Sequence, residues 1–421
     1  INEIYESVKE YIWQLERNKE KYLINPEKDF TRHRKISFSD CVMSLLCMSG
    51  GTLFSEVLEY FSDKTDLPSV SAYLQQRAKI KYSAFEQLFR STVNLSDENH
   101  LYHGYRLFAA DGSDIQIPSN PMDEDTYYPG SNGQKPYNLI HLNAIYDIIT
   151  NTYQDVLIQG SRHCAEHEAL NHMVDCSCVN KALIIADRGY ESYNVMAHIK
   201  EKGWKYLIRV KDIGGNGIVS RLDLPSSDEF DIDIDLNITR KNSKKMMQLF
   251  EDRNHYRYAP PNSKLDFLPS RSSYKEDAVF YRLPFRVVRF KITENQYETI
   301  VTNLDKYEFA PAELKRLYAM RWGIETSFRT LKYNIGVIYF HSWKKELVMQ
   351  EVFARLALFN ITASIAGEPL KHISKKNYSY KVNVAKVILI CRKLFLDRIS
   401  PHYAQRLIST SVVPIRNERS F

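Results

Sequence analysis

The sequence has no apolar run long enough to span a membrane and no evident signal peptide. It has only six cysteines in 421 residues, which is too few for a disulfide framework. It also has no internal repeat and no low-complexity tract. These absences exclude a transmembrane protein and a disulfide-stabilised secreted scaffold, and they favour a reducing, cytoplasmic setting. Since the first residue is Ile rather than Met, a short start of the natural chain is expected to be missing.

Composition and length predict a globular protein of two or three domains with a sizeable core, since 44% of the residues are hydrophobic and 26% are charged. The net charge is +6, but it is unevenly distributed. Residues 370–421 contain eleven Lys and Arg against Asp397 and Glu418, so this segment is +9 and the preceding 369 residues sum to −3. A basic end on a near-neutral body indicates a polyanionic partner, and nucleic acid is favoured over a merely solubilising surface helix.

The spacing of apolar residues predicts an α/β protein in five parts, with a mixed sheet and packed helices. The parts are a helical N-terminal region (1–98), the first part of a core (99–211), a β-rich insertion (212–293), the second part of the core (294–367) and a basic helical C-terminal region (368–421). In the first region, Arg77, Lys79 and Lys81 would suit contact with DNA, although a plain helical domain would explain them equally well.

Two aspartates are the first candidates for chemistry because each is predicted to end a strand. Asp111 comes before Gly112, and Asp187 comes shortly before Gly189. If the two strands lie together, the carboxylates meet, and their repulsion makes that arrangement costly without a cation. Mg²⁺ favours a few carboxylates together with water and substrate phosphate. The sequence therefore predicts a divalent metal site, although an Asp-Gly pair taken alone is more commonly a turn.

One helix is predicted to present four functional side chains on one side. Tyr318, Arg321, Glu325 and Lys332 are separated by 3, 4 and 7 residues. At about 100° per residue they fall within about 60° of one another. Glu325 would add a third carboxylate, the flanking cations would hold phosphates, and two metal ions about 4 Å apart would activate water and stabilise a leaving oxygen. The alternative for this pattern alone is a solvated charged face.

Together these residues resemble the DDE transposases of bacterial insertion sequences, in particular the IS-four family with its Y-x2-R-x3-E-x6-K signature. The resemblance covers roughly residues 35–367. The matching positions are Tyr318, Arg321, Glu325 and Lys332 in the signature, Asp111 within FAADGSDIQIP, and Asp187 within IIADRGY.

The resemblance implies a ribonuclease-H-like core interrupted by a β insertion, and it implies that residues 1–98 form a DNA-binding domain. It implies excision of a DNA element through a hairpin intermediate and joining of the 3′ ends to target DNA. Asp111, Asp187 and Glu325 are then the catalytic residues and hold two Mg²⁺ (or Mn²⁺) ions per active site. The implied partner is double-stranded DNA, both the inverted-repeat ends and the target, bound by a homodimer in the bacterial cytoplasm at the nucleoid.

The resemblance further implies that Tyr318, Arg321 and Lys332 contact phosphates near the transposon end. A hairpin bends DNA sharply, so a base must leave the stack. Relatives stack it on an aromatic residue upstream of the glutamate, and Tyr297 matches that place by position and aromatic character. An ordinary strand tyrosine is the alternative. Arg188 and Arg209 are further candidates for DNA contact.

A rival constellation is formed by histidines and cysteines that have spacings found in zinc sites: His163, Cys164, His167, His172, Cys176 and Cys178. Of these, Cys164, His167 and Cys178 share a helix face only loosely, and the resemblance requires no zinc, so a zinc site is not expected. Two alternatives to a complete transposase are a related nuclease that only cleaves and an inactive derivative that only binds DNA. The presence of all three acids and the whole four-residue signature argues against the inactive derivative.

Overall fold

The computed structural model describes residues 1–414 except 33, 64–66, 96–99, 132, 270–276, 295 and 368–379. The helices are α1 (Asn2–Arg17), α2 (Phe38–Cys47), α3 (Leu53–Phe61), α4 (Val70–Arg77), α5 (Ser83–Thr92), α6 (Glu166–Cys176), α7 (Tyr193–Glu201), α8 (Lys244–Leu249), α9 (Pro311–Met320), α10 (Trp322–Arg329), α11 (Lys345–Gly367), α12 (Val384–Phe395) and α13 (Pro401–Thr410). The strands are β1 (Arg106–Ile117), β2 (Tyr127–Tyr128), β3 (Tyr137–Asp147), β4 (Thr152–Gly160), β5 (Ala182–Ala186), β6 (Lys205–Val210), β7 (Phe230–Thr239), β8 (Tyr256–Tyr258), β9 (Tyr281–Thr293), β10 (Gln296–Thr302), β11 (Tyr380–Val382) and β12 (Val412–Pro414).

A large mixed sheet forms the centre of the molecule, which confirms the α/β prediction. Its strands lie in the order β2-β3-β1-β5-β6-β10-β9-β7-β8, and β4 also pairs with β3. Strand β1 is antiparallel to β3 and parallel to β5, which is parallel to β6. The strands of residues 212–293 continue this sheet, because β9 pairs with β10 and β7 pairs with β9, both antiparallel.

Strand β5 separates two apolar layers and is buried along its whole length. Leu183 and Ile185 pack on one face with residues of α9, including Leu317. Ala182, Ile184 and Ala186 pack on the other face with residues of α6, α7 and the insertion strands. A short run buried on both faces is typical of a central parallel strand. The residue after Ala186 therefore lies at the carboxyl end of this strand, where the two apolar layers meet.

The N-terminal helices pack on α11, a 23-residue helix that is buried along most of its length. Arg77 shows how closely the two are joined. It is fully buried, and its guanidinium donates to Glu351 Oε1 at 2.9 Å and to Gln350 Oε1 at 2.8 Å. The prediction that Arg77 suits DNA contact is therefore wrong, because its charge is neutralised inside the protein.

The helix predicted to hold Tyr318 and Lys332 together is interrupted. Helix α9 ends at Met320, α10 begins at Trp322, and a π-helical turn follows at Thr330–Ile335. The break arises because the Arg321 N–H bonds to the Tyr318 carbonyl, three residues back, and this shorter bond tightens the helix. The prediction of one continuous helix is wrong at this point.

The basic C-terminal region is described only in part, since residues 368–379 and 415–421 lie outside the described ranges. Within the predicted basic helical region (368–421), the described residues form helices α12 and α13. Some of the basic residues here pair with the N-terminal helices, as Lys393 does with Glu59 at 2.6 Å. Across the described ranges, no helix combines the length and apolar character needed to cross a bilayer.

Candidate active site

The pairing of β1 with β5 brings the first two candidate acids together. The parallel register ends at Ala110 opposite Ala186. Asp111 and Asp187 are the next residues on the two neighbouring strands, so their backbones lie about 5 Å apart at the same level. Asp187 caps a short turn, in which its Oδ1 accepts a hydrogen bond from the Gly189 N–H at 2.7 Å. This agrees with the prediction that Asp187 ends a strand.

Asp111, in contrast, lies in the middle of a strand. Strand β1 continues to Ile117, and Gly112 pairs with Asn143 of β3, so the prediction of a strand end at Asp111 is wrong. The glycine serves close packing rather than a turn. A Cβ at Gly112 would lie 2.3 Å from His141 Nε2. Only a residue without a side chain lets the imidazole lie against the strand next to Asp111.

Glu325 is tied to this pair by Arg321. The Arg321 Nη2 donates to Glu325 Oε1 at 2.6 Å, and its Nη1 lies 3.6 Å from Asp111 Oδ2. The guanidinium is nearly buried, with 6% of the side chain exposed, whereas the Glu325 side chain is 35% exposed. One cation therefore bridges an acid on the central strand and an acid on α10.

The surroundings of the Asp111 carboxyl disfavour its charged form. Burial raises its pKa to about 6 from the ordinary 3.8. The Gly112 N–H and the Arg321 guanidinium oppose that rise, while the negative charges of Asp187 and Glu325 increase it. Arg321 therefore does not offset the burial of Asp111, and a further cation beside this carboxyl would favour its charged form.

The raised Asp111 pKa predicts that Asp111→Asn stabilises the metal-free protein at alkaline pH. A raised pKa means that the folded state holds its proton more tightly than the unfolded state does, so stability falls as pH rises through this range. The difference between 3.8 and about 6 corresponds to about 3 kcal/mol lost above pH 6. We expect a higher urea midpoint for Asp111→Asn than for wild type at pH 8 in EDTA, and a smaller difference at pH 5. Asp233→Asn, at an exposed acid, is the control, and a less stable Asp111→Asn at pH 8 would contradict the account.

Tyr318 and Arg209 lie beside this cluster. The Tyr318 ring is flanked by the guanidinium of Arg209 at 5.6 Å and that of Arg321 at 5.7 Å. The Tyr318 side chain is buried, and its hydroxyl makes no hydrogen bond of ordinary geometry among the described residues. Arg209 also pairs with Glu298 at 3.3 Å. These side chains form an aromatic and cationic layer next to the acids.

The other predicted residues lie around the site rather than in it. Arg188 is exposed in the turn after Asp187. Burial lowers the pKa of the Lys332 ammonium, and the nearby Asp114 opposes this. Tyr297 is on β10, two strands away from the strand that leads to Asp187, which is about 10 Å across the sheet. It also lies about 10 Å from Asp187 along the strand direction, beyond the carboxyl end of β5. The Arg289 guanidinium covers one face of the Tyr297 ring at 4.2 Å.

Two features were missed by reasoning from the sequence. Trp322 is 56% exposed beside Arg321, whose guanidinium is 5.7 Å from its ring, and an aromatic residue between Arg321 and Glu325 was the available signal. His141 lies over Gly112 between two acids, with Nδ1 2.8 Å from Asp114 and Nε2 3.0 Å from Glu166. Hydrogen bonding to Glu166 raises the His141 pKa, burial opposes this, and Asp114 raises it further. No local sequence pattern links these three residues.

The described part of the chain contains no group of three or more His, Cys, Asp and Glu side chains arranged to hold a metal ion. Among the zinc candidates, His172 and Cys176 approach each other at 3.8 Å, and His167 bonds to the Gly189 carbonyl instead. For the acids, Arg321 lies between Asp111 and Glu325. The donor set nevertheless fits a divalent cation, because carboxylate oxygens are the ligands that Mg²⁺ and Mn²⁺ prefer and because burial, increased by the neighbouring acids, disfavours the charged form of Asp111 that a cation would stabilise.

Comparison with known proteins gives the class. Residues 102–361, well over half of the chain, match the family described as Transposase DDE domain, and the chain belongs to that family. No curated protein is significantly similar in sequence. Among solved structures, the piggyBac transposase synaptic complex with hairpin DNA is similar at a TM-score of 0.42 and 9% identity, over 92% of this chain and 80% of that one. Likeness at this level leaves the function to be argued from the chain's own residues.

Proposed function

We propose that this protein is a DNA transposase of the IS-four type, which excises an insertion sequence at its terminal inverted repeats and joins it to target DNA. One observation carries the proposal. The strand register brings Asp111 beside Asp187, and Arg321 bridges Asp111 to Glu325. Membership of the Transposase DDE domain family supports the reaction class.

The proposal includes a ribonuclease-H-like core formed by residues 99–211 and 294–367. The antiparallel pairing through β4, β3 and β1 and the parallel pairing through β1, β5 and β6 support it. Residues 212–293 are assigned as the β insertion. Residues 1–98 and 368–421 are assigned as the helical N-terminal DNA-binding domain and the basic C-terminal region.

Asp111, Asp187 and Glu325 would hold the divalent metal, Mg²⁺ or Mn²⁺, with two ions per site in the proposal. When bound, such ions lower the pKa of the attacking hydroxyl and stabilise the leaving oxygen of a phosphodiester. The protein's own part is to hold the acids in place before DNA arrives. Backbone N–H groups do this for Asp111 and Asp187, and Arg321 does it for Glu325.

The remaining site residues are proposed to grip DNA. Arg321 has a planar fork that suits a phosphate, and its contact with Glu325 keeps that fork at the site. Tyr318 orders Arg321 and Arg209 by lying between their guanidinium groups. Lys332, near Asp114, and Arg188, in the turn after Asp187, supply further positive charge for DNA. Removing phosphate contacts should weaken binding to DNA of any sequence and reduce its dependence on salt.

In the proposed reaction, water first cleaves the strand at the transposon end and frees a 3′ hydroxyl. That hydroxyl attacks the opposite strand, so a hairpin forms and the flanking DNA is released. A second water molecule opens the hairpin, and the 3′ hydroxyl then attacks a target phosphodiester. Because two ends must be joined together, we propose a homodimer in the DNA complex. The proposed place of action is the bacterial cytoplasm, at the nucleoid.

The test is a cleavage assay on linear DNA that carries the inverted repeats bracketing the gene. With Mg²⁺ or Mn²⁺ we expect nicks at the ends, a hairpin product on a denaturing gel and joined product with added plasmid. EDTA should abolish all three and leave DNA binding in place. Nicking without joining would indicate a cleavage-only enzyme, and binding without nicking in either metal would indicate an inactive derivative.

Hairpin closure should depend on an aromatic platform for the unstacked base. Base stacking on an aromatic side chain is worth about 1–3 kcal/mol, so losing it should slow closure on the order of 10- to 100-fold. We expect Tyr297→Ala to give this effect on pre-nicked end DNA and to leave the first nick unchanged, because nicking needs only one phosphodiester in place.

Trp322→Ala is the informative comparison, because Trp322 is exposed and adjoins Arg321, whereas one face of Tyr297 is already covered by Arg289. Tyr307→Ala, at a largely exposed tyrosine, is the control. If Trp322→Ala slows closure and Tyr297→Ala does not, Trp322 is the platform and the role assigned to Tyr297 is wrong.

A further inference from the structure

A cavity of about 640 Å³ opens beside Asp187, between the turn after β5 and the insertion. It begins at Arg188 and Gly189, the residues that directly follow Asp187, and it is closed by residues around β8. Its volume lies in the range of about 300–1,000 Å³ that is usual for ligand sites. Of the residues given a DNA-binding role above, Arg188 alone lines this cavity.

The lining is strongly basic. Five Lys and Arg residues line the cavity, and Glu191 is the one Asp or Glu among the lining residues that the structure describes. Glu191 is already occupied, since its carboxylate accepts hydrogen bonds from the backbone N–H groups of Lys211 and Ile218. Among the five cations, Lys264 pairs with Glu168 at 2.6 Å. The remaining four, Arg188, Lys211, Arg221 and Arg257, outnumber the single acid of the lining.

Several lining groups also lack partners. In the described part of the chain, the Arg188 and Arg221 side chains form no ion pair. The Tyr193 hydroxyl and Arg257 Nε are buried near each other, and neither makes a hydrogen bond of ordinary geometry. Burial raises the Tyr193 pKa, and Arg257 and then Arg221 oppose this, so Tyr193 lies near both cations. Buried polar groups without partners cost free energy, and an anionic ligand with several acceptors would satisfy them.

The cavity lies on the opposite face of the sheet from Tyr318, which belongs to the proposed grip on the transposon end. Tyr318 packs in the apolar layer under α9, with Leu183 and Ile185 of β5. The cavity wall includes Ile218 and Leu265, which belong to the layer on the other face of β5. The acids lie at the edge between the two layers. A strand held on the α9 side that passes the acids would continue toward this cavity.

We propose that the cavity binds the phosphodiester backbone of the DNA strand beyond the scissile phosphate. This inference rests on the proposed function, because it assigns a second DNA-binding surface to the same active site. Flanking DNA before cleavage and target DNA before joining have the same chemistry, and either can supply that strand. Tyr193 and Tyr258 provide aromatic surface among the cations, a combination that suits a single strand with an unstacked base.

The test compares the double variant Lys211→Glu/Arg221→Glu with Lys244→Glu/Lys245→Glu. Both pairs carry the same charge change, but Lys244 and Lys245 are exposed on α8 outside the cavity. Three probes are used: end duplex with flank, the same duplex pre-cut without flank, and the pre-cut end complex with a separate labelled target duplex. Binding is measured over a range of salt concentrations, and no step requires cleavage.

We expect the cavity variant to raise the apparent Kd about 10-fold or more, and to lower the salt slope by about 2, for the flanked duplex or for target capture. Loss with the flanked duplex identifies flank as the occupant, and loss of target capture identifies target. Unchanged binding of all three probes would overturn the inference. So would an equal loss with Lys244→Glu/Lys245→Glu, or a loss with the pre-cut duplex alone.

Two further measurements keep the result interpretable. Thermal melts check that each variant is folded. If the charge-reversed variant does not fold, Lys211→Gln/Arg221→Gln replaces it, and the same outcomes support or overturn the inference. The cleavage assay on wild-type protein tests the proposed function separately. If the wild type cuts and joins DNA while the cavity variant binds every probe normally, the inference about the cavity is wrong and the proposed function stands.

Discussion

Asp111→Asn, Asp187→Asn and Glu325→Gln are each expected to lower the rate of end nicking by at least about 10³-fold, because metal-assisted phosphodiester cleavage loses several kcal/mol of transition-state stabilisation with each ligand. These changes keep the side-chain volume and remove one negative charge. Binding to end DNA should remain near wild type, since phosphate contacts are assigned to Arg and Lys side chains. For Asp111→Asn, the loss of activity should accompany higher stability in EDTA at alkaline pH.

The measurement is nicking of labelled end DNA under single-turnover conditions, with binding followed in parallel. Asp233→Asn is the matched control, because Asp233 is an exposed acid on β7 that pairs with Lys306 at 3.0 Å. Nicking at the wild-type rate by any of the three variants would remove that residue from the catalytic set. Weak binding by all three would instead place the acids in a DNA-contacting role.

The largest effect on stability is expected for Glu351→Ala, which breaks a buried ionic cluster. The Glu351 carboxylate is fully buried between Arg77 at 2.9 Å and Arg355 at 3.3 Å, and it also accepts the His341 N–H. Burial by itself would raise the Glu351 pKa, but Arg77, His341 and Arg355 outweigh this and hold it at about 2. Removing the carboxylate leaves two buried guanidinium groups without their counter-charge, which should cost about 3–5 kcal/mol.

Urea unfolding of Glu351→Ala checks this, with Glu59→Ala as the control. Glu59 pairs with Lys393 at 2.6 Å, but both side chains are exposed, so its loss should cost less than about 1 kcal/mol. Glu351→Gln should lie between the two, because an amide keeps part of the hydrogen bonding and loses the charge. Equal unfolding midpoints for Glu351→Ala and Glu59→Ala would contradict the account.

Elements with strong local patterns could be predicted from the sequence. The end of a strand at Asp187 was indicated, and so were strands within residues 212–293, where β7, β8 and β9 are found. The meeting of Asp111 and Asp187 followed from one assumption, that their strands are neighbours, and the β1–β5 pairing meets it. Their catalytic role stays a prediction.

Features that depend on distant partners could not be predicted. Asp111-Gly112 is typical of a turn, but His141 requires the glycine inside a strand. Arg77 has the spacing of an exposed helix residue, and its partner Glu351 is 274 positions away. The cavity beside Asp187 is lined by side chains from widely separated segments, so no sequence window contains it.

The way α11 is buried limits how this protein can be re-engineered. The N-terminal helices, α11 and the C-terminal helices share one apolar core, and Lys9 of α1 pairs with Asp397, just after α12, at 2.9 Å. Inside that core, Asn360 of α11 also bonds to the backbone of Tyr153 in β4. A chimera that takes only the N-terminal helices from a relative would therefore combine side chains from two different proteins in one hydrophobic core, where they would not pack together. Replacing the N-terminal helices with those of a relative should require transplanting α11 and the segments after it as well.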